Sequence, residues 1–149
     1  MDYEALRGGL EVAVPFNTHL GLQVTELGDG RATVRLPDEA ALRNHVGSQH
    51  AGALFSAGEA ASGGALVGAF AETIAELEPL AAGAEISYSA IALGPIDAVA
   101  ALDEPADALR DRLAADGEVA FSVSVRLLNG AGDDVAAMTV RWDVRTRAA

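Results

Sequence analysis

The chain has 149 residues, enough for one domain with a real core; half of them are hydrophobic and 21% are charged. A formal charge of −12 argues against nucleic acid and against an anionic membrane surface, since both demand basic patches. There is no Cys, which removes thiol nucleophiles, disulfides and thiolate metal sites, and all ten basic residues are Arg, which removes Schiff-base chemistry and the phosphate-loop lysine.

Residues 2–12 read as a helix that ends before Pro15. The same stretch carries acidic residues where a secretory signal carries positive charge, and it has no sustained apolar run, so a cytoplasmic protein is expected. LGLQVTEL (20–27) and GRATVRLPD (30–38) flank the turn residues Gly28-Asp29-Gly30 and predict a hairpin. Residues 37–50 lack periodicity and read as a loop.

An Ala/Gly-rich helix follows over about 50–70, continuing or restarting to about 78. AEISYSAIALG (84–94) and PIDAVAALD (95–103) read as two strands broken at Gly94-Pro95. EPADALRDRLAADG (104–117) has Pro near its first turn and Gly at its end, the signature of a short surface helix. Two alternating strands close the chain. Val119, Phe121, Val123, Val125 and Leu127 share one face of the first, and Ala136, Met138, Val140, Trp142 and Val144 share one face of the second. Six strands, mostly in hairpins, and one long apolar helix define an α+β domain spanning 1–149, an antiparallel sheet with that helix on its face.

The 51–70 helix is long enough to span a bilayer, but five Gly, two Ser and Glu59 make it a poor insert. It has no polar face, so a curled sheet on one side and a second subunit on the other are its expected cover. Its glycines each cost about 1 kcal/mol of helix propensity, which suggests close approach of another backbone or a ligand. Glu59 is its single charged residue. A lone buried carboxylate costs several kcal/mol unless hydrogen-bonded, paired or protonated.

Ahead of the helix stand Asn44, His45, Ser48, Gln49, His50, Ala51 and Gly52. Free N–H groups at a helix start favour a negative or polarised oxygen. Taken one at a time these residues suit a turn, an N-cap and a first helical turn; their joint position before a buried acid points to chemistry. No G-x-S-x-G turn and no metal-binding His spacing is present.

Asn44, then His50-Ala51-Gly52, then Glu59 resembles the signature of hotdog-fold acyl-CoA thioesterases of the phenylacetate-degradation type. The resemblance runs from about Pro15 to Arg145, with its specific residues inside 44–59. It implies a hotdog fold, a long central helix wrapped by a curved six-stranded antiparallel sheet, in a homodimer or a dimer of dimers with the site between subunits. It also implies that Asn44 and His50 orient the substrate carbonyl or its water, that the Ala51 N–H forms an oxyanion hole, and that Glu59 is base or nucleophile. Gln49, Gly52 and Ser62 are candidates to line the substrate; Ser62, one helical turn after Glu59, suits either holding the water or filling space as a small packing residue. No cofactor is implied beyond the coenzyme A of the substrate, whose phosphates Arg43, Arg126, Arg141, Arg145 and Arg147 are available to meet.

Ala51 and Glu59 are eight residues apart, roughly 12 Å along one helix. One carbonyl cannot meet both within a single chain, so two antiparallel helices across a two-fold axis are expected. The alternative is a hotdog domain that binds acyl thioesters, or only dimerises, without hydrolysis.

Overall fold

The computed structural model describes residues 1–148. The chain opens with α1 (Tyr3–Ala13), whose first turn is capped by the Asp2 carboxylate accepting from the Glu4 and Ala5 N–H groups, both at 3.1 Å. Pro15 then starts a second short helix, α2 (Pro15–His19), which the alternation rules do not anticipate. After β1 (Gln23–Gly28) and β2 (Arg31–Leu36) comes α3 (Ala51–Ala69), followed by β3 (Leu77–Tyr88), β4 (Ile96–Leu102), α4 (Ala106–Asp116), β5 (Glu118–Leu128) and β6 (Asp134–Thr146). Among the described residues no helix is long and apolar enough to cross a membrane.

All six strands form one antiparallel sheet in the order β1-β2-β4-β5-β6-β3. The alternating faces expected of β5 and β6 are the buried ones, and with Leu36, Ile96 and Phe70 they make the core. Two expectations are corrected here. The helix does not run on to residue 78: α3 ends at Ala69, and β3 begins at Leu77, seven residues before the predicted strand. Pro79 forbids a helix interior but is allowed at a sheet edge, where its missing N–H costs no ladder bond. Nor does that strand run on to Gly94: β3 ends at Tyr88. Residues 89–95 leave the sheet and cross over the start of α3, so β3 pairs only with β6.

The helix glycines serve the sheet. A Cβ on Gly64 would lie 2.8 Å from the Ala32 Cβ, and one on Gly58 2.5 Å from the Met138 sulfur. One on Gly68 would collide with the Gly28 carbonyl oxygen, so α3 sits on β1 and β2 at backbone distance. The C-terminal end of α3 is held by Arg110 of α4, which donates to the Ala69 carbonyl at 2.6 Å and to Asp29 at 2.8 Å. Of the nineteen α3 residues eleven are buried; Gly52, Phe55, Glu59, Ala60, Gly63 and Val67 lie on the remaining stripe. Part of the cover expected from a second subunit comes instead from α1 and α2, which lie over the Ala60–Val67 end.

The two sheet edges differ. Along β1 the Arg7 guanidinium donates to the Val24 carbonyl at 2.8 Å and the Glu11 carboxylate accepts the Val24 N–H at 3.1 Å, so α1 seals that edge. Among the described residues no strand lies beside the outer edge of β3, and Leu80 on that strand is 63% exposed.

Candidate active site

The start of α3 is built by the loop before it. Asn44 Oδ1 accepts the N–H groups of Val46 (3.1 Å) and Ser48 (3.0 Å), closing a tight turn and leaving only its amide N–H2 free. Ser48 and Gln49 are the clamps of this loop. Ser48 Oγ accepts the Ala92 N–H at 3.0 Å, while Gln49 Nε2 donates to the carbonyls of Pro37 (2.9 Å) and Gly94 (3.0 Å). Both side chains are buried, and the Gln49 Oε1 has no hydrogen-bond partner among the described residues. Gln49 thus ties the loop to β2 and to the 89–95 crossover.

His50 is the N-cap of α3. Its Nδ1 accepts the Gly52 N–H at 2.8 Å, which in the neutral ring places the proton on Nε2. The Gly52 N–H is therefore committed to its own helix and not to a ligand. The Ala51 N–H is the exposed donor that remains, with no acceptor among the described residues. Tyr88, at the end of β3, donates its hydroxyl to the Ala51 carbonyl at 2.9 Å, and burial raises its pKa. Nothing in the sequence marks Tyr88, because the contact spans 37 positions and depends on where β3 ends. His45 makes no side-chain hydrogen bond among the described residues.

Glu59 lies two turns further along α3 and faces a different environment. Its carboxylate has no hydrogen-bond or ionic partner among the described residues, and burial raises its pKa above the usual carboxylate range. It borders a cavity of about 160 Å³ between α3 and the N-terminal helices, together with Leu10, Asn17, Gly63 and Trp142. Ser62 stands one turn on but is fully buried. Its Oγ donates to the Glu59 carbonyl at 2.7 Å and accepts from Trp142 Nε1 at 3.1 Å, so it has no donor left for a water molecule. Trp142 is thereby pinned against the inner face of α3.

Within one chain the structure brings Asn44, Gln49, His50, Ala51 and Gly52 together at the helix start and keeps Glu59 apart from them on the same rod. Of the five Arg expected to meet phosphates, Arg43, Arg126 and Arg145 are each paired with a carboxylate, Asp38, Asp134 and Glu78 respectively. Among the described residues Arg141 and Arg147 hydrogen-bond only backbone carbonyls, those of Ala82 (3.5 Å) and Leu77 (3.0 Å).

A six-stranded antiparallel sheet curled round one long helix, with a polar loop feeding that helix, is the hotdog fold of thioesterase-type proteins. The chain belongs to the family described as a domain of unknown function, DUF4442, which matches residues 4–144. Among solved structures it is similar to PA5026 of Pseudomonas aeruginosa, described as a protein of unknown function and probable thioesterase (28% identity, TM-score 0.83, covering 99% of this chain and 97% of that one). It is also similar to the conserved protein PA5202 of the same organism (26% identity, TM-score 0.71, 88% and 94% covered). A thioesterase family protein of Silicibacter pomeroyi, 19% identical with a TM-score of 0.76 and 97% and 99% covered, shares the fold. No curated protein matches the chain.

Proposed function

We propose that the protein is an acyl-CoA thioesterase whose two active sites lie between the subunits of a homodimer. The observation that carries this reading is the unpartnered, half-buried Glu59 carboxylate beside an apolar cavity, on the same rod as a helix start that offers a free N–H. Eight residues of helix, roughly 12 Å, separate the two groups in one chain, so a shared substrate carbonyl requires the acid of one subunit and the helix start of the other.

The surface around the helix start suits such an arrangement. Val46, Phe55, Tyr88, Ile91 and Leu93 are each more than a third exposed, and their segments converge on Ala51 and Ala92. Leu80 is exposed toward the other end of the open β3 edge, in a groove shared with Arg112, Asp116 and Glu118. Pairing two β3 edges about a two-fold axis sets the α3 helices antiparallel alongside the seam and brings each helix start toward the middle of its twin. A Leu80→Lys substitution places a charge in that seam. It is expected to halve the mass measured in solution from two chains to one and to abolish hydrolysis with it; a wild type that is already a single chain contradicts the reading.

In the mechanism the Ala51 N–H holds the thioester oxygen, with the Asn44 amide and His50 Nε2 beside it. Glu59 of the partner subunit takes a proton from water as the water oxygen bonds to the carbonyl carbon. Collapse of the tetrahedral intermediate breaks the C–S bond, and the proton passes to the departing thiolate, giving a carboxylic acid and free coenzyme A. As a nucleophile the same carboxylate would give a mixed anhydride that water then opens. Burial makes Glu59 a stronger base than an exposed glutamate in either role. Of the five Arg named above, Arg141 and Arg147, which no carboxylate of the described residues engages, remain for the coenzyme phosphates. The protein would act on a soluble substrate in the cytoplasm, and needs no cofactor of its own.

The test is thiol release from acyl-CoA by wild type and Glu59→Gln. A fall of about 10²–10⁴-fold in kcat supports the base. Equal trace rates in both would leave a hotdog domain that binds thioesters, or only dimerises, as the account.

A further inference from the structure

We infer that the cavity beside Glu59 is the acyl pocket and that it takes an acyl group of about six carbon atoms, linear or a single ring, while excluding long chains; this rests on the thioesterase reading of the same site. The outer stripe of α3 leaves Ala60, Gly63 and Val67 uncovered by the sheet. Leu10 and Val14 of the α1–α2 corner close over them, with Trp142 as one wall. That corner is fastened by three contacts: Arg7 and Glu11 on the Val24 backbone, and Thr18 Oγ1 on the Glu11 carbonyl at 3.1 Å. The roof is therefore fixed to the edge of the sheet and covers one side of a half-open cavity.

The cavity's volume is about 160 Å³. An apolar protein cavity of about 150 Å³ accepts one benzene molecule, so six carbon atoms fill the space and a twelve-carbon chain requires about twice as much. Leu22, Val34 and Leu66 line it with hydrocarbon, and the polar groups at its border, Glu59, Glu11 and Asn17, suit the reacting end of a substrate better than its tail. Gly63, in the cavity lining, is the place where that limit can be changed. A Cβ there would meet only the Trp142 ring, at 3.7 Å, an ordinary contact, so a side chain at position 63 is sterically admitted and takes its room from the cavity.

The experiment has two arms. In the first, kcat/KM is measured for acyl-CoA esters of two to sixteen carbons and for phenylacetyl-CoA, with wild type, Gly63→Ala and Gly63→Val. Wild type is expected to peak near six carbons and to fall at least tenfold by twelve, and both variants to move the peak to shorter chains. A peak at twelve or more carbons, or a peak that neither variant moves, overturns the inference while leaving the thioesterase reading intact. In the second arm 1-hexanol is titrated against the emission of Trp142, the only tryptophan of the chain and part of the cavity wall. A saturable change that Gly63→Val abolishes supports a six-carbon pocket even if no thioester is hydrolysed, the result that would sink the thioesterase reading alone. Unchanged emission overturns the pocket. Gly63→Ala, which adds a single methyl group, keeps both arms interpretable if the valine variant fails to fold.

Discussion

Proline at position 51 removes one hydrogen atom from the proposed oxyanion hole and almost nothing else. Ala51 is the first residue of α3, the helical position where proline is favoured. The residue before it, His50, has φ −64° and ψ 140°, the extended conformation that a following proline requires. The Ala51 N–H bonds no acceptor among the described residues, and the Ala51 carbonyl that receives the Tyr88 hydroxyl is retained. The change is at an exposed site, so Ala51→Pro is expected to alter stability by no more than about 0.5 kcal/mol, or about 1–2 °C in Tm for a chain of this size. Loss of one oxyanion donor costs about 10²–10³-fold in kcat, roughly 2.7–4 kcal/mol of transition-state binding. Thiol release at saturating acyl-CoA reads the kinetic effect, and thermal melts read the fold. Ala51→Gly, which keeps the N–H, is the control and should retain activity. A folded Ala51→Pro enzyme with wild-type kcat would refute the assignment of this N–H.

Other outcomes follow from the same geometry. Because burial raises the pKa of Glu59, the acid limb of the pH–kcat profile should lie at higher pH than an ordinary glutamate gives, and a limb at or below the ordinary value contradicts a buried base. The same shift fixes the sign of a stability effect. As pH rises from the ordinary glutamate value of 4.5, the unfolded chain ionises position 59 before the folded one, so wild type loses stability through the folded pKa. Glu59→Gln should therefore melt higher than wild type at pH 7 and converge with it below pH 4.5; identical melts across that range contradict the desolvated acid. Glycine to alanine should act in opposite directions at two helical sites. Gly8→Ala in α1, with nothing within 4 Å, gains about 0.5–1 kcal/mol of helix stability, whereas Gly68→Ala strikes the Gly28 carbonyl and costs about 1–3 kcal/mol. Urea denaturation distinguishes them, and a shared sign would contradict the close seat of α3.

What the sequence discloses here is what local pattern controls. The inward faces of β5 and β6, the β1–β2 hairpin, the α3 rod and the buried setting of Glu59 all rest on periodicity or on a single charge among apolar neighbours. β3 escapes the same reasoning. Pro79, Ala81, Ala82 and Gly83 are weak strand formers, and their extended conformation is dictated by pairing with β6, some sixty positions away. The purposes of Gly64 and Gly68 are likewise invisible until Ala32 and Gly28 are known to lie beneath them. In the site, the polar run before α3 was legible as a cluster, but not its division of labour. Only the fold reveals that Gln49 and Ser48 clamp the loop, that the Gly52 N–H and the Ser62 hydroxyl are already committed, and that Tyr88 reaches the helix start.

The account depends on two groups of different chains acting on one carbonyl, and subunit complementation measures that directly. Ala51→Pro and Glu59→Gln chains, each expected to be inactive alone, are unfolded together, refolded at equal concentration and assayed for acyl-CoA hydrolysis. Random pairing makes about half the dimers mixed, and each mixed dimer holds one site with an intact acid from one chain and an intact helix start from the other. Recovery of about a quarter of the wild-type rate is the predicted result. A mixture as inactive as its components, with mixed dimers demonstrated by mass, would mean that acid and helix start do not meet across the seam.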